Sequence, residues 1–138
     1  MTDALEQFNQ HQIDTRNRLN FLVQSVLLLA GGALTASIAV FTGSRNIQLT
    51  DSLALYLGCA WWALVICICF AIVVIAIVVL RDYWFGEQWR KQLNDPTYVV
   101  NDAPGIADLA IIVLGLLSLL SFLAGFVGIA YVATQVVA

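Results

Sequence analysis

Polar and charged residues are not spread along this chain but gathered at three places, and the stretches that follow them are almost wholly apolar. The first charge-free run lies between Arg18 and Arg45, the second between Asp51 and Arg81, and the third follows Asp108 to the end of the sequence. A helix needs about 20 residues to cross a hydrocarbon core of ~30 Å, and each run is longer than that. An ionised side chain at the centre of a bilayer costs several kcal/mol, so charges mark where spans end. The pattern predicts an all-α integral membrane bundle with transmembrane helices over 21–42, 53–80 and 109–133. The second run exceeds the length required, which predicts that Ser52 to Tyr56 lies at an interface and that the helix continues through Arg81.

The polar segments add two further elements. Residues 3–20 contain neither Gly nor Pro and place Leu5, Phe8, Thr15 and Leu19 near one helical face, interrupted by Gln12. An amphipathic helix running into the first span is expected, either as a docking helix or as one lying against headgroups. Residues 81–106 form the second connection. It opens with aromatics mixed among charges, and Tyr83, Trp84 and Trp89 are expected to anchor at headgroup level, as is Tyr131 at the end of span three. Asn94-Asp95-Pro96 should stop the helix, Thr97 to Val100 should be extended, and Pro104 is placed to open the third helix. The polar residues before span one include Asp3, Glu6 and Asp14, which argues against a cleavable signal peptide with a short basic lead.

Composition confirms the class: 61% of the 138 residues are hydrophobic and only 11% are charged, far from the average of soluble domains. Orientation follows from Lys and Arg alone. Arg16, Arg18, Arg81, Arg90 and Lys91 fall on one side and only Arg45 on the other, so the N-terminus and the 81–106 connection are expected in the cytoplasm, with the C-terminus opposite. Eight of the nine acids share that side, giving it a balance of −3. A polybasic surface for nucleic acid is therefore disfavoured.

Small residues recur in each span at steps of three and four. Span one has Gly32, Ala36, Ala39 and Gly43; span two has Cys59, Ala63, Cys67 and Ala71; span three has Ser118, Ser121, Gly125 and Gly128. In lipid, helices associate by close backbone approach, which such stripes permit. Some must serve packing within the chain, and the remainder point to a homo-oligomer or to a membrane-protein partner. The spans carry no ionisable ring that would act as a selectivity filter or proton relay. A pore would have to be lined by hydroxyls such as Thr35, Ser37 and Thr42, or Ser118 and Ser121, and membrane hydroxyls commonly bond their own backbone instead.

Candidate chemistry is sparse. Cys59, Cys67 and Cys69 sit in apolar surroundings without a carboxylate or His beside them, and His11 stands among Gln and Asn. No catalytic, cofactor or metal site is expected, and enzyme activity is not. The segment Leu28-Leu29-Ala30-Gly31-Gly32-Ala33-Leu34-Thr35-Ala36-Ser37, with Trp61-Trp62-Ala63-Leu64 in span two, resembles small uncharacterised bacterial multi-span membrane proteins, some of which are membrane effectors of defence systems. The resemblance implies a bacterial inner membrane and a membrane effector; the small-residue stripes and the minimal soluble mass lead to the expectation of a self-assembling protein, a pore or membrane-perturbing effector. The alternative is an accessory subunit of a larger membrane complex.

Overall fold

Uninterrupted helix-forming sequence, free of Pro, leaves nothing to break the chain except at its two connections. The computed structural model has three helices, α1 over Thr2–Gly43, α2 over Asp51–Asn94 and α3 over Gly105–Val137. It describes residues 2–43, 47–95, 97, 99 and 105–137; within α1 the side chains of 2–5, 8, 9, 12, 15 and 16 lie outside that description. The expected stripe of Leu5, Phe8 and Thr15 therefore falls outside it, as does Pro104, while Leu19 is exposed. The N-terminal helix and the first span form one continuous α1. At ~1.5 Å per residue α1 is about 63 Å long, α2 about 66 Å and α3 about 50 Å, all well beyond a hydrocarbon core of ~30 Å.

The helices alternate in direction. Tyr56 meets Tyr131, with rings edge-on at 6.1 Å, and near the other end of the pair Arg81 meets Asp108, so α2 and α3 run antiparallel. Trp61 of α2 bonds Ser37 of α1, while Leu19 of α1 and Val78 of α2 share a cavity, which fixes α1 antiparallel to α2.

The seam between α2 and α3 is a heptad repeat. Leu57, Ala60, Leu64, Cys67, Ala71 and Val74 are buried on α2, and Ile111, Ser118, Gly125 and Val132, spaced by seven, are buried on α3. Alternating steps of three and four average 3.5 residues per turn, so both seams stay face to face only if the helices supercoil slightly left-handed. Helix α1 joins this hairpin through Ala30, which packs with Leu64 and Cys67, flanked by Val26, Ala33 and Leu34. It meets α2 far more than α3.

Most of the apolar surface remains uncovered by the chain itself. In the most apolar 18-residue window of each helix only 17%, 22% and 17% of residues are buried. Phe21, Leu28, Leu55, Trp62, Val79, Leu80, Leu116 and Leu120 are all exposed. Soluble proteins rarely expose contiguous apolar patches of more than a few hundred Å². All three helices are long and apolar enough to cross a membrane.

Candidate helix-packing and membrane-boundary sites

The three small-residue stripes have different fates. On α3 the whole stripe turns inward: Ser118 and Gly125 are buried, Ser121 and Gly128 half-buried. A Cβ at Gly125 would lie 2.7 Å from Leu64 Cγ and 3.0 Å from the Ala60 carbonyl oxygen, and one at Gly128 would lie 2.8 Å from Ala60 Cβ. Glycine is needed at both positions because the backbones approach too closely for a side chain. On α2 the stripe winds around the helix, because four steps of 100° overshoot a turn by about 40°. Cys59 is exposed, Ala63 half-buried, and Cys67 and Ala71 fully inside.

On α1 the stripe points away from the other helices. Gly32, Ala36, Ala39 and Gly43 are all exposed, and added Cβ atoms at Gly32 and Gly43 would touch nothing within 4 Å. Ala30, Ala33 and Ser37, one to three residues along the same helix, are the ones that face α2 and α3. Helix α1 therefore has two small-residue faces and uses one within the chain.

Five hydroxyls of the apolar helix segments, Ser25, Thr35, Ser37, Thr42 and Ser118, are bonded within the chain. Thr35 donates to the Gly31 carbonyl, Thr42 to Ile38 and Ser25 to Phe21. Ser37 donates to the Leu34 carbonyl at 2.9 Å and accepts from Trp61 Nε1 at 2.9 Å. Ser118 donates to the Cys67 carbonyl at 3.0 Å, with Cys67 Sγ 3.5 Å from its oxygen. Each bond gives a polar atom a partner within the chain, on helices whose surroundings are otherwise apolar. Ser37 and Ser118 are buried, so neither lines a water-filled path.

Where the apolar run of α2 ends, the chain changes chemistry. Arg81 Nη1 donates to Asp108 Oδ1, tying α2 to the start of α3. Its Nε is buried and donates to no acceptor among the described residues; Asp82 Oδ1, at 4.0 Å, is beyond hydrogen-bond reach. Beyond Arg81, helix α2 runs on to Asn94. Tyr83 and Trp84 are exposed within one turn of Arg81, while Trp89 and Leu93, also exposed, stand about 12 and 18 Å further along the axis. Gln88 is buried and its Oε1 has no partner among the described residues. Asp95 ends the helix: its carboxylate accepts from the Thr97 hydroxyl at 2.6 Å and from the Thr97 backbone N–H at 3.0 Å. The Thr97 hydroxyl first, and the N–H second, hold its pKa below the ordinary carboxylate value.

Sequence reasoning named the small-residue stripes and the boundary aromatics but missed the Arg81–Asp108 pair, the Trp61–Ser37 bond and buried Gln88. The first had a signal, since opposite charges closing two consecutive apolar runs are brought together by a hairpin. Gln88 had one too, lying two heptads beyond Val74. Among the described residues no group of three or more His, Cys, Asp or Glu is arranged to hold a metal. No protein-family model, curated protein or solved structure matches the chain.

Proposed function

We propose that this chain is a non-enzymatic integral membrane protein that self-assembles through the outer face of α1, with its N-terminus in the cytoplasm and its C-terminus on the opposite side. The observation that carries the reading is the unpartnered stripe Gly32-Ala36-Ala39-Gly43, set at steps of four, three and four on a helix that already spends its other small face on α2. Close helix approach in lipid needs such a surface, and steps of four, three and four, an 11-residue span over three turns, suit a right-handed crossing with a second copy. A bacterial inner membrane suits the resemblance of spans one and two, and so does the activity of a pore or membrane-perturbing effector. Any conducting path would run between protomers, because the three helices of one chain pack around Ala30, Leu64 and Cys67.

The test is Gly32→Leu. Its side chain enters open space in the protomer, so the fold should persist while the native mass in mild detergent falls from oligomer to single chain. An unchanged native mass would reject α1 as the assembly face. Gly125→Leu cannot serve, since it collides with Leu64 inside the protomer.

A second reading, an accessory subunit, is favoured by one observation. With Arg81 at the hydrocarbon boundary, Tyr83 and Trp84 fall in a headgroup layer of roughly 5–8 Å, but Trp89 and Leu93 stand beyond it, exposed. Apolar side chains held in water on a rigid helix suit contact with a second protein. Under this reading a Trp89→Ala, Leu93→Ala double variant should lose a co-purifying protein that the unaltered chain retains in stoichiometric amount; retention would reject it.

A further inference from the structure

Helix α1 leans on α2 more than on α3, and the space left between α1 and α3 is an apolar groove. Its volume is about 280 Å³, and its walls include Leu22 and Val26 of α1, Ala71 of α2, and Ile111, Gly115 and Leu119 of α3. At the Arg81 end it adjoins a second cavity of about 220 Å³ that shares Leu19, Ile111 and Ile112 and adds Asn20, Arg81 and Asp108. The combined space has a long apolar body and one polar mouth, at the level where the apolar run of α2 stops. That is the shape and polarity of an amphiphile aligned with the helices.

The mouth also specifies a headgroup. Arg81 holds a buried Nε–H without an acceptor beside an Nη1 already engaged by Asp108. A guanidinium edge with an unused donor suits a phosphate oxygen. Asp108 and Asp82, each about half exposed, flank it, so the three side chains sum to −1. A purely anionic headgroup meets two carboxylates as well as the cation, whereas a zwitterion carrying phosphate and a primary ammonium matches both signs.

We infer that the α1/α3 groove is a binding site for one aminophospholipid of the phosphatidylethanolamine type, one of its two acyl chains along Leu22, Val26 and Leu119 and the other outside the groove, its phosphate at Arg81 and its ammonium at Asp108. The inference rests on the membrane placement proposed above but not on self-assembly, since no residue of the α1 outer stripe lines the groove. The ligand seals the wedge that α1 leaves open, and a rotation of the Arg81 guanidinium, whose Nε is buried in this conformation, brings the unsatisfied donor to its acceptor.

The experiment is native mass spectrometry of the full chain in detergent, titrated with dioleoyl phosphatidylethanolamine, phosphatidylcholine or phosphatidylglycerol. One phosphatidylethanolamine per chain should be retained about tenfold more strongly than either of the others, because the quaternary ammonium has no N–H to donate and the glycerol headgroup has no cation. Two variants locate the site. Arg81→Gln removes the phosphate partner, and Gly115→Leu fills the groove at a position where an added Cβ meets nothing within 4 Å. Both should lose the bound lipid at unchanged helical content; if Arg81→Gln does not fold, Gly115→Leu decides alone. Equal retention of the three lipids, or full retention in Gly115→Leu, overturns the proposal. Alkaline carbonate extraction separates the two levels: release from membranes overturns the membrane placement together with the site, whereas a chain that stays in the membrane fraction but holds no lipid overturns the site only.

Discussion

Replacing Gly125 by Ala adds a single methyl group where the α2–α3 seam is closest. The new Cβ would stand 2.7 and 2.8 Å from Leu64 Cγ and Cδ2, and 3.0 Å from the Ala60 carbonyl oxygen, against an optimal carbon–carbon separation of ~3.5–4.0 Å. One of the contacts must open by about 1 Å. Leu64 has no room to retreat, because it is fully buried and packs on Ala30 and Cys67, and the Ala60 oxygen is held by its helix. Overpacking of this kind costs about 1–3 kcal/mol. Greater helix propensity of Ala returns at most ~1 kcal/mol. The expected net is a loss of about 1–2 kcal/mol, read as a lowered midpoint in reversible SDS titration of detergent-solubilised protein followed by far-ultraviolet circular dichroism. Gly115→Ala is the control, as its Cβ enters open space and should be neutral or slightly stabilising. Leu64→Ala in the Gly125→Ala background should recover part of the overpacking, giving a non-additive pair. If Gly125→Ala and Gly115→Ala have the same midpoint, the close approach at Gly125 does not exist and the seam described here is wrong.

Ser118→Ala removes the bond to the Cys67 carbonyl; interhelical hydrogen bonds in membranes average ~0.6 kcal/mol, so the same titration should move by less than for Gly125→Ala. Asp95 titrates outside the spans, and its folded pKa lies below the unfolded value. Its contribution to the helix end is therefore fully present above the unfolded pKa and is lost as pH falls through the folded one. Thr97→Val removes the larger cause, so the carboxyl midpoint followed by carbon-detected NMR should rise toward the ordinary value, and an unchanged midpoint would refute the role of the Thr97 hydroxyl.

Much of the architecture was legible because lipid imposes a simple rule. Charge-free runs had to be helices, Pro96 stood where α2 stops, and the absence of Gly and Pro before Asn20 made α1 continuous. The candidate site was legible only as chemistry type. Three stripes of small residues look alike on the page, yet Gly125 is a contact, Cys59 is exposed and Gly32 meets nothing. Periodicity gives the angular spacing of a face on its own helix, not the direction of its neighbour.

Sequence by itself thus determined that there are three long apolar helices and where charges interrupt them, since charge-free runs of that length are helices and the charges gather at their ends. Tertiary structure alone decided which small face is spent, that Ser118 and Ser37 are bonded inside the bundle, and that Arg81 closes on Asp108 while leaving a donor free. Those outcomes depend on the relative rotation of three helices. Rotation is set by how Leu64, Cys67, Ala30 and Gly125 fit together, a many-body packing condition that no single run of residues contains.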